Sequence, residues 1–266
     1  MQLSIVIPAY NEYERLSRSL ELVSAHLARA GHRDAEVIVV DDGSTDGTAG
    51  LVREWSVRWP ALRLIQLPAN QGKGAAVRAG ILASRGEIVG FADADLSAPI
   101  EQLELLLGDL EDAEIAILSR ALPGTRLERR QSRPRETMGK LYGFLAQLLV
   151  LRGVPDPQCG LKLYRGALGR ELFAGSTESG VLFDTEVLAM ATQRGARISQ
   201  RPALWRHDPD SRLHFGLGGS IGVALSLLRL KMRHRIVLAL RATGPVRSYE
   251  RSHAYPGAMP VPGTQR

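Results

Sequence analysis

Four short clusters of polar residues carry the chemistry legible in this chain, and each follows or closely trails an apolar run. The sharpest is Asp93-Ala94-Asp95, directly after Ile88–Ala92. In extended chain, residues i and i+2 share a face, so both carboxylates can point to one place. Two like charges so close repel each other, and a hard divalent cation with oxygen ligands offsets that repulsion. Asp93 and Asp95 would thus hold Mg²⁺ or Mn²⁺, with water and a substrate's phosphate oxygens completing the shell. A solvated loop is the competing reading, and the strongly apolar run before it weighs against that.

The other clusters suit a nucleotide. In Asp41-Asp42-Gly43-Ser44-Thr45-Asp46-Gly47-Thr48, two adjacent acids exceed what a turn and a helix cap need. Asp42 could accept a hydrogen bond from a uracil or a ribose. In Pro8-Ala9-Tyr10-Asn11-Glu12, Pro8 ends a strand and Asn11 can cap the next helix; functionally, Tyr10 could stack on a base while Glu12 bonds to it. Asn70-Gln71-Gly72-Lys73-Gly74 lacks the spacing of the NTPase phosphate loop. Gln71, Gly72 and Lys73 could still serve a diphosphate through free N–H groups and one cation.

Regular alternation positions these clusters. Leu3–Ile7, Glu36–Val40, Arg63–Leu67, Glu87–Ala92 and Glu114–Leu118 read as strands. Helical stretches lie between them, over roughly Glu12–Ala30, Asp46–Val57, Gly74–Ser84 and Ile100–Leu110. This predicts an α/β fold with a mostly parallel sheet flanked by helices. Ligands of such sheets gather beyond the carboxyl ends of the strands, where the four clusters fall. Residues 121–155 are a basic connection with a helix from about Arg135 to Leu151, and 156–206 complete the sheet and an acceptor pocket. A second helix is expected from about Ser220 to Leu240, apolar at its start and cationic at its end. Ala242–Arg266, with four prolines, reads as a disordered tail.

The chain of 266 residues is 44% hydrophobic and 23% charged, which excludes a disordered or collagenous protein. One cysteine, Cys159, excludes an internal disulfide and reads as a small buried hydrophobe. The net charge of +6 is local: residues 120–140 hold seven Lys or Arg against two Glu, and 211–249 hold seven and no acid. Such patches suggest an anionic partner. Met1–Ala9 has no basic start or long apolar stretch, so no signal peptide is expected. The longest largely apolar runs, Leu141–Leu151 and Ile221–Leu230, are about half the ~20 residues of a spanning helix. A cytoplasmic, peripheral protein is therefore expected.

Taken together, Ile7-Pro8-Ala9-Tyr10-Asn11-Glu12, Asp41-Asp42-Gly43-Ser44, Asn70-Gln71-Gly72-Lys73-Gly74 and Asp93-Ala94-Asp95 resemble the family 2 glycosyltransferases. The resemblance covers residues 1 to about 230 and implies the GT-A (Rossmann-like) fold. It also implies a D-x-D metal site at Asp93 and Asp95, with Asp42 on the nucleoside. Pro8, Tyr10, Asn11, Glu12, Gln71, Gly72, Lys73 and Ala94 would complete the sugar-nucleotide site. Ser119-Arg120, Asp156-Pro157-Gln158-Cys159-Gly160-Leu161-Lys162, Phe183-Asp184-Thr185-Glu186, Trp205 and Ser211-Arg212 are similar to the polyprenyl-phosphate branch, which transfers glucose or mannose to dolichyl phosphate. It differs in having Leu118 where the branch commonly has Gly. The implied division is a catalytic domain over 1–215 (1–120 for the nucleotide sugar, 121–215 for the acceptor), an amphipathic interfacial helix within 216–241, and the tail.

A lipid phosphate fits the residues on physical grounds too. A sugar hydroxyl must lose a proton as it attacks and needs a carboxylate base, whereas a phosphate arrives anionic and needs orientation and charge neutralisation. Guanidinium groups suit that role, which makes Arg120, Arg133, Arg135 and Arg212 candidate clamps. Gln158 and Lys162 would line the acceptor or sugar site, or pack a tight turn at Gly160. The expected reaction is an in-line displacement with inversion. Asp95 and Arg120 serve the reacting groups, and Asp156, Asp184 or Glu186 orients sugar hydroxyls. UDP-glucose is the expected donor, with GDP-mannose as alternative; nucleic acid is not an expected partner. Both basic helices would meet an anionic membrane surface, unless they are core helices with snorkelling cations. Two other readings stay open: a family 2 enzyme acting on a hydroxyl, with Asp184 or Glu186 as base, and a non-catalytic sugar-nucleotide binder.

Overall fold

A computed structural model describes residues 2–129, 133–206 and 219–235. The five expected strands are β1 (Leu3–Ala9), β2 (Glu36–Asp41), β3 (Leu62–Gln66), β4 (Ile88–Ala92) and β5 (Ile115–Ser119). Between them run α1 (Tyr13–Arg29), α2 (Thr48–Arg58), α3 (Lys73–Ala83) and α4 (Leu103–Asp109), the last entered through a 3-10 turn at Ile100–Gln102. Then come β6 (Arg126–Arg129), α5 (Arg133–Leu149), β7 (Leu161–Arg165), α6 (Gly166–Gly175), α7 (Phe183–Gln193), β8 (Ile198–Pro202), β9 (Leu204–Arg206) and α8 (Gly219–Arg233).

One seven-stranded sheet, ordered β3-β2-β1-β4-β7-β5-β8, organises the molecule. Alternate residues serve its two faces: Leu3, Ile5 and Ile7 join a core with α1, while Val6, Ile38 and Val40 join one with α3 and α7. The strands along β1 to β4 are parallel. β7 runs antiparallel between β4 and β5, with Leu161 opposite Ala92. That inversion positions the site. A parallel strand brings its C-terminal flank to the ligand edge, whereas β7 brings its N-terminal flank, residues 156–160. Within the basic connection, β6 pairs with β9. β7 and β8, from the second half of the chain, lie in the same sheet as the first half.

α5 and α8 pack on the second core, through Tyr142, Ala146 and Val150 and through Leu227 and Leu230. No helix among the described residues is long and apolar enough to cross a membrane. Arg212, residues 236–241 and the tail 242–266 lie outside the described residues, as do the side chains of Arg133 and Arg135.

Candidate active site

The cleft beyond β1, β2 and β4 has a volume of about 310 Å³ and gathers Pro8, Ala9, Tyr10, Glu12, Arg15, Asp42, Asn70, Gly72, Lys73, Ala76, Asp93, Ala94 and Asp95. The four clusters thus share one cavity. Tyr10 stands at its rim with 43% of its surface exposed, available for stacking. Asp42 is buried at the end of β2, where its two oxygens accept the Gln71 and Gly72 N–H groups, each at 2.8 Å. This carboxylate therefore shapes the 70–74 loop, and each oxygen keeps a second lone pair for a ligand. The Gln71 and Gly72 N–H groups point at Asp42 and are not free for a diphosphate in this arrangement. Gly72 has φ +99, and a Cβ there would meet the Ser179 carbonyl oxygen at 2.5 Å. Gly74 N–H donates to that same carbonyl at 2.7 Å, so residue 179 closes over the start of α3.

Asn11 and Glu12 also differ from the sequence reading. Asn11 does not cap α1, whose N-cap is Glu12 and has no side-chain capping bond. With φ +55, Asn11 instead accepts the Thr45 N–H at 2.8 Å, while its own N–H donates to Ser44 Oγ at 2.8 Å. It joins the loops after β1 and β2. Glu12 holds Arg15 through two bonds of 2.8 Å, so a base would meet a carboxylate already paired. Sequence reading passes over Arg15, whose i+3 spacing from Glu12 is the available signal.

Asp93 and Asp95 follow β4 as expected. Asp93 Oδ1 lies 2.5 Å from Lys73 Nζ. Asp95 Oδ1 accepts the Ser97 N–H at 2.9 Å. Burial, and next the Asp93 charge, push the Asp95 carboxyl above its ordinary range. A cation beside Asp95 would offset that cost, and two carboxylates of hard oxygen suit Mg²⁺ or Mn²⁺. The described residues hold no cluster of three or more His, Cys, Asp or Glu able to bind a metal unaided. A donor set of two acids fits an ion that draws its remaining ligands from water and substrate phosphate.

Residues 156–162 reach this site through the inversion of β7. Asp93 N–H donates to Gly160 O at 3.2 Å, and a Cβ on residue 160 would collide with Asp93 Oδ2. Only glycine lets the carboxylate lie there. Asp156 accepts three bonds from Arg120, from its N–H at 2.8 Å and from Nε and Nη2 at 2.7 Å. Burial would raise the Asp156 carboxyl, but the Arg120 charge and these bonds hold it below the usual range. The guanidinium also stacks on Trp205 at 4.7 Å. Asp156 thus fixes Arg120 in place, and it leaves Nη1 outside the pair. Gln158 donates to Val181 O at 3.2 Å, which ties the turn to the loop before α7.

Lys162 stands differently from its expected place on the acceptor. It is fully buried, and its Nζ donates to Cys159 O at 2.6 Å and Asp184 Oδ1 at 2.7 Å. Antiparallel pairing places it opposite Phe91, over whose ring its ammonium lies at 4.9 Å. No acceptor reaches it; of the sequence alternatives, the tight turn at Gly160 is the one it serves. Glu186 is buried too, accepting bonds from Ser176, Thr177, Glu178 and His234. It fastens the end of α8 to the 176–178 loop and does not face the cleft.

The sequence profile of Glycosyl transferase family 2 matches residues 4–173, and the chain belongs to that family: it is a glycosyltransferase with a GT-A-like fold. Among its relatives are the dolichyl-phosphate beta-glucosyltransferases of Trichomonas vaginalis (32% identical, covering 93% of this chain and 77% of the relative) and Homo sapiens (35%, 80% and 69%). Among solved structures, glucosyl-3-phosphoglycerate synthase from Mycobacterium tuberculosis with UDP is similar in fold (TM-score 0.64, 24% identity, 90% of this chain and 82% of that one). So is a mannosyltransferase from Pyrobaculum calidifontis with GDP-Man and Mn²⁺ (TM-score 0.57, 22%, 79% and 57%).

Proposed function

We propose that the protein transfers glucose from UDP-glucose to a polyprenyl phosphate, with inversion, at a membrane surface. Three features support this: the D-x-D pair, in which the chain resembles family 2 as a whole, and the arginine after β5 and the D-x-Q-C-G-x-K turn, in which it resembles the polyprenyl-phosphate branch. The observation that carries it is the state of the acceptor-side acids. Asp156 is spent on Arg120, Asp184 on Lys162, and Glu186 on a loop and a histidine. All three are engaged with protein partners, so the acceptor best suited to this site arrives already ionised. A hydroxyl acceptor lacks its base here. Family membership sets aside a purely binding role.

In this mechanism Tyr10 and Asp42 hold the nucleoside, and Lys73 meets the diphosphate at the start of α3. Asp93 and Asp95 would hold the divalent ion, which would neutralise charge on the departing nucleoside diphosphate. Arg120, oriented by Asp156 and Trp205, aligns the acceptor phosphate oxygen with the anomeric carbon; Arg133, Arg135 and Arg212 are its proposed helpers. With detergent-solubilised polyprenyl phosphate, UDP-glucose should release UDP, and Arg120→Ala should lower kcat/KM by about 10²-fold, as expected for ~3 kcal/mol of lost charge-assisted contact. Transfer to a hydroxyl acceptor that survives Arg120→Ala and dies with Asp184→Asn would overturn the reading.

The membrane surface falls to α5 and α8. Phe144 and Leu148 on one, and Leu225, Leu228 and Met232 on the other, stay exposed although their helices are otherwise packed. Arg229, Lys231, Arg233 and Arg235 accompany them, and residues 211–249 contain no acid. Arg233 is paired with Glu178, and the apolar side chains beside Arg229, Lys231 and Arg235 suit an anionic bilayer interface. The chain should co-sediment with vesicles containing phosphatidylglycerol and poorly with pure phosphatidylcholine. Phe144→Asp with Met232→Asp should reduce the bound fraction at least fivefold.

A further inference from the structure

Asp93 Oδ1, the oxygen turned toward Lys73, is already claimed. Oδ2 lies against the Gly160 backbone, so close that a Cβ there would overlap it, and Oδ1 carries the Lys73 ammonium at 2.5 Å. Lys73 in turn has another side to face: it opens α3 next to Gly72, and Asp42 after β2 lines the same cleft. Its Nζ also lies 5.8 Å from the Phe91 ring centre, and the buried Lys162 ammonium lies 4.9 Å from the same centre. A dication arriving alone would therefore crowd cations together and strip Lys73 of its anion. A diphosphate arriving with the dication supplies that anion.

We propose that Lys73 is an exchangeable counter-ion of Asp93: the ammonium occupies the carboxylate until a nucleoside diphosphate draws it away, so the divalent ion and the nucleotide bind as one unit. This rests on the reading of the cleft as a nucleotide site. The coupling is reciprocal: the factor by which nucleotide tightens metal is the factor by which metal tightens nucleotide. Lys73 is thereby a positioning residue for the metal acids as well as a ligand of the diphosphate.

The test is Mn²⁺ titration followed by electron paramagnetic resonance, with and without UDP, on the full chain. The wild type should bind Mn²⁺ weakly alone and about 10- to 100-fold more tightly with UDP, within the usual range of site coupling. Lys73→Met should raise the metal-alone affinity about tenfold and shrink the UDP enhancement. Lys73→Gln repeats the measurement should the methionine variant fail to fold. Arg15→Met removes another cation of the same cleft, one that Glu12 holds, and should change metal-alone affinity less than twofold. Unchanged or weaker metal binding in both Lys73 variants overturns the proposal, and so does an equal gain in Arg15→Met. The metal-alone titration decides it even where UDP does not bind; failure of UDP to bind the wild type would instead overturn the nucleotide reading.

Discussion

Asp95→Ala should lower turnover by about 10³-fold or more while leaving the fold intact. The carboxylate sits beyond β4, fixed by the Ser97 N–H. That bond serves only a local turn, and burial together with Asp93 already disfavours the charge. Removing it relieves repulsion in the resting protein, so the thermal midpoint should hold or rise slightly. What remains at the diphosphate is Asp93 alone, half claimed by Lys73. A Lewis-acid contribution of about 4 kcal/mol corresponds to roughly 10³-fold in rate. UDP release at saturating Mn²⁺ and UDP-glucose measures it. Turnover above a tenth of wild type, maintained under a strong chelator, would contradict the role of the pair.

Lys162→Met should cost about 3–5 kcal/mol of stability, because it strands Asp184 as an uncompensated charge in a dry interior. The paired variant Lys162→Met with Asp184→Leu should recover most of that loss, since well-packed apolar residues often replace a buried ion pair without penalty. Urea melts of the single and paired variants give both values. Acceptor KM should stay within about twofold in the paired variant, because Nζ is fully buried against the Phe91 ring and held by Asp184. A large rise in acceptor KM with stability restored would return Lys162 to the acceptor site.

The sequence disclosed the sheet because its strands are continuous apolar runs bounded by helix starts, and their ends hold the acids. It disclosed Asp93 and Asp95 for the same reason: two charges directly after Ile88–Ala92 have no packing role to explain them. What it hid is the second partner of each charged residue. A formula such as D-x-Q-C-G-x-K does not say that its lysine faces inward, since that depends on β7 lying antiparallel beside β4, a long-range pairing. Nor does it say that Asp156 will meet Arg120 across 36 positions, or that Glu186 will anchor α8 through His234. Asn11 reads wrongly as a helix cap because capping is a local pattern, whereas its bonds run to Ser44 and Thr45. Arg133 and Arg135 fall in α5.

The reversed strand has a consequence for exchanging parts among relatives. Because the segment 156–162 grips Arg120 at one end, abuts Asp93 in the middle and locks Asp184 at the other, we expect recipient and leaving-group specificities not to be modular. A chimaera joined at residue 120 that takes its second half from another enzyme imports a foreign wall for the host's aspartate, and swapped halves should work only when this seven-residue keystone comes from the donor of the first half.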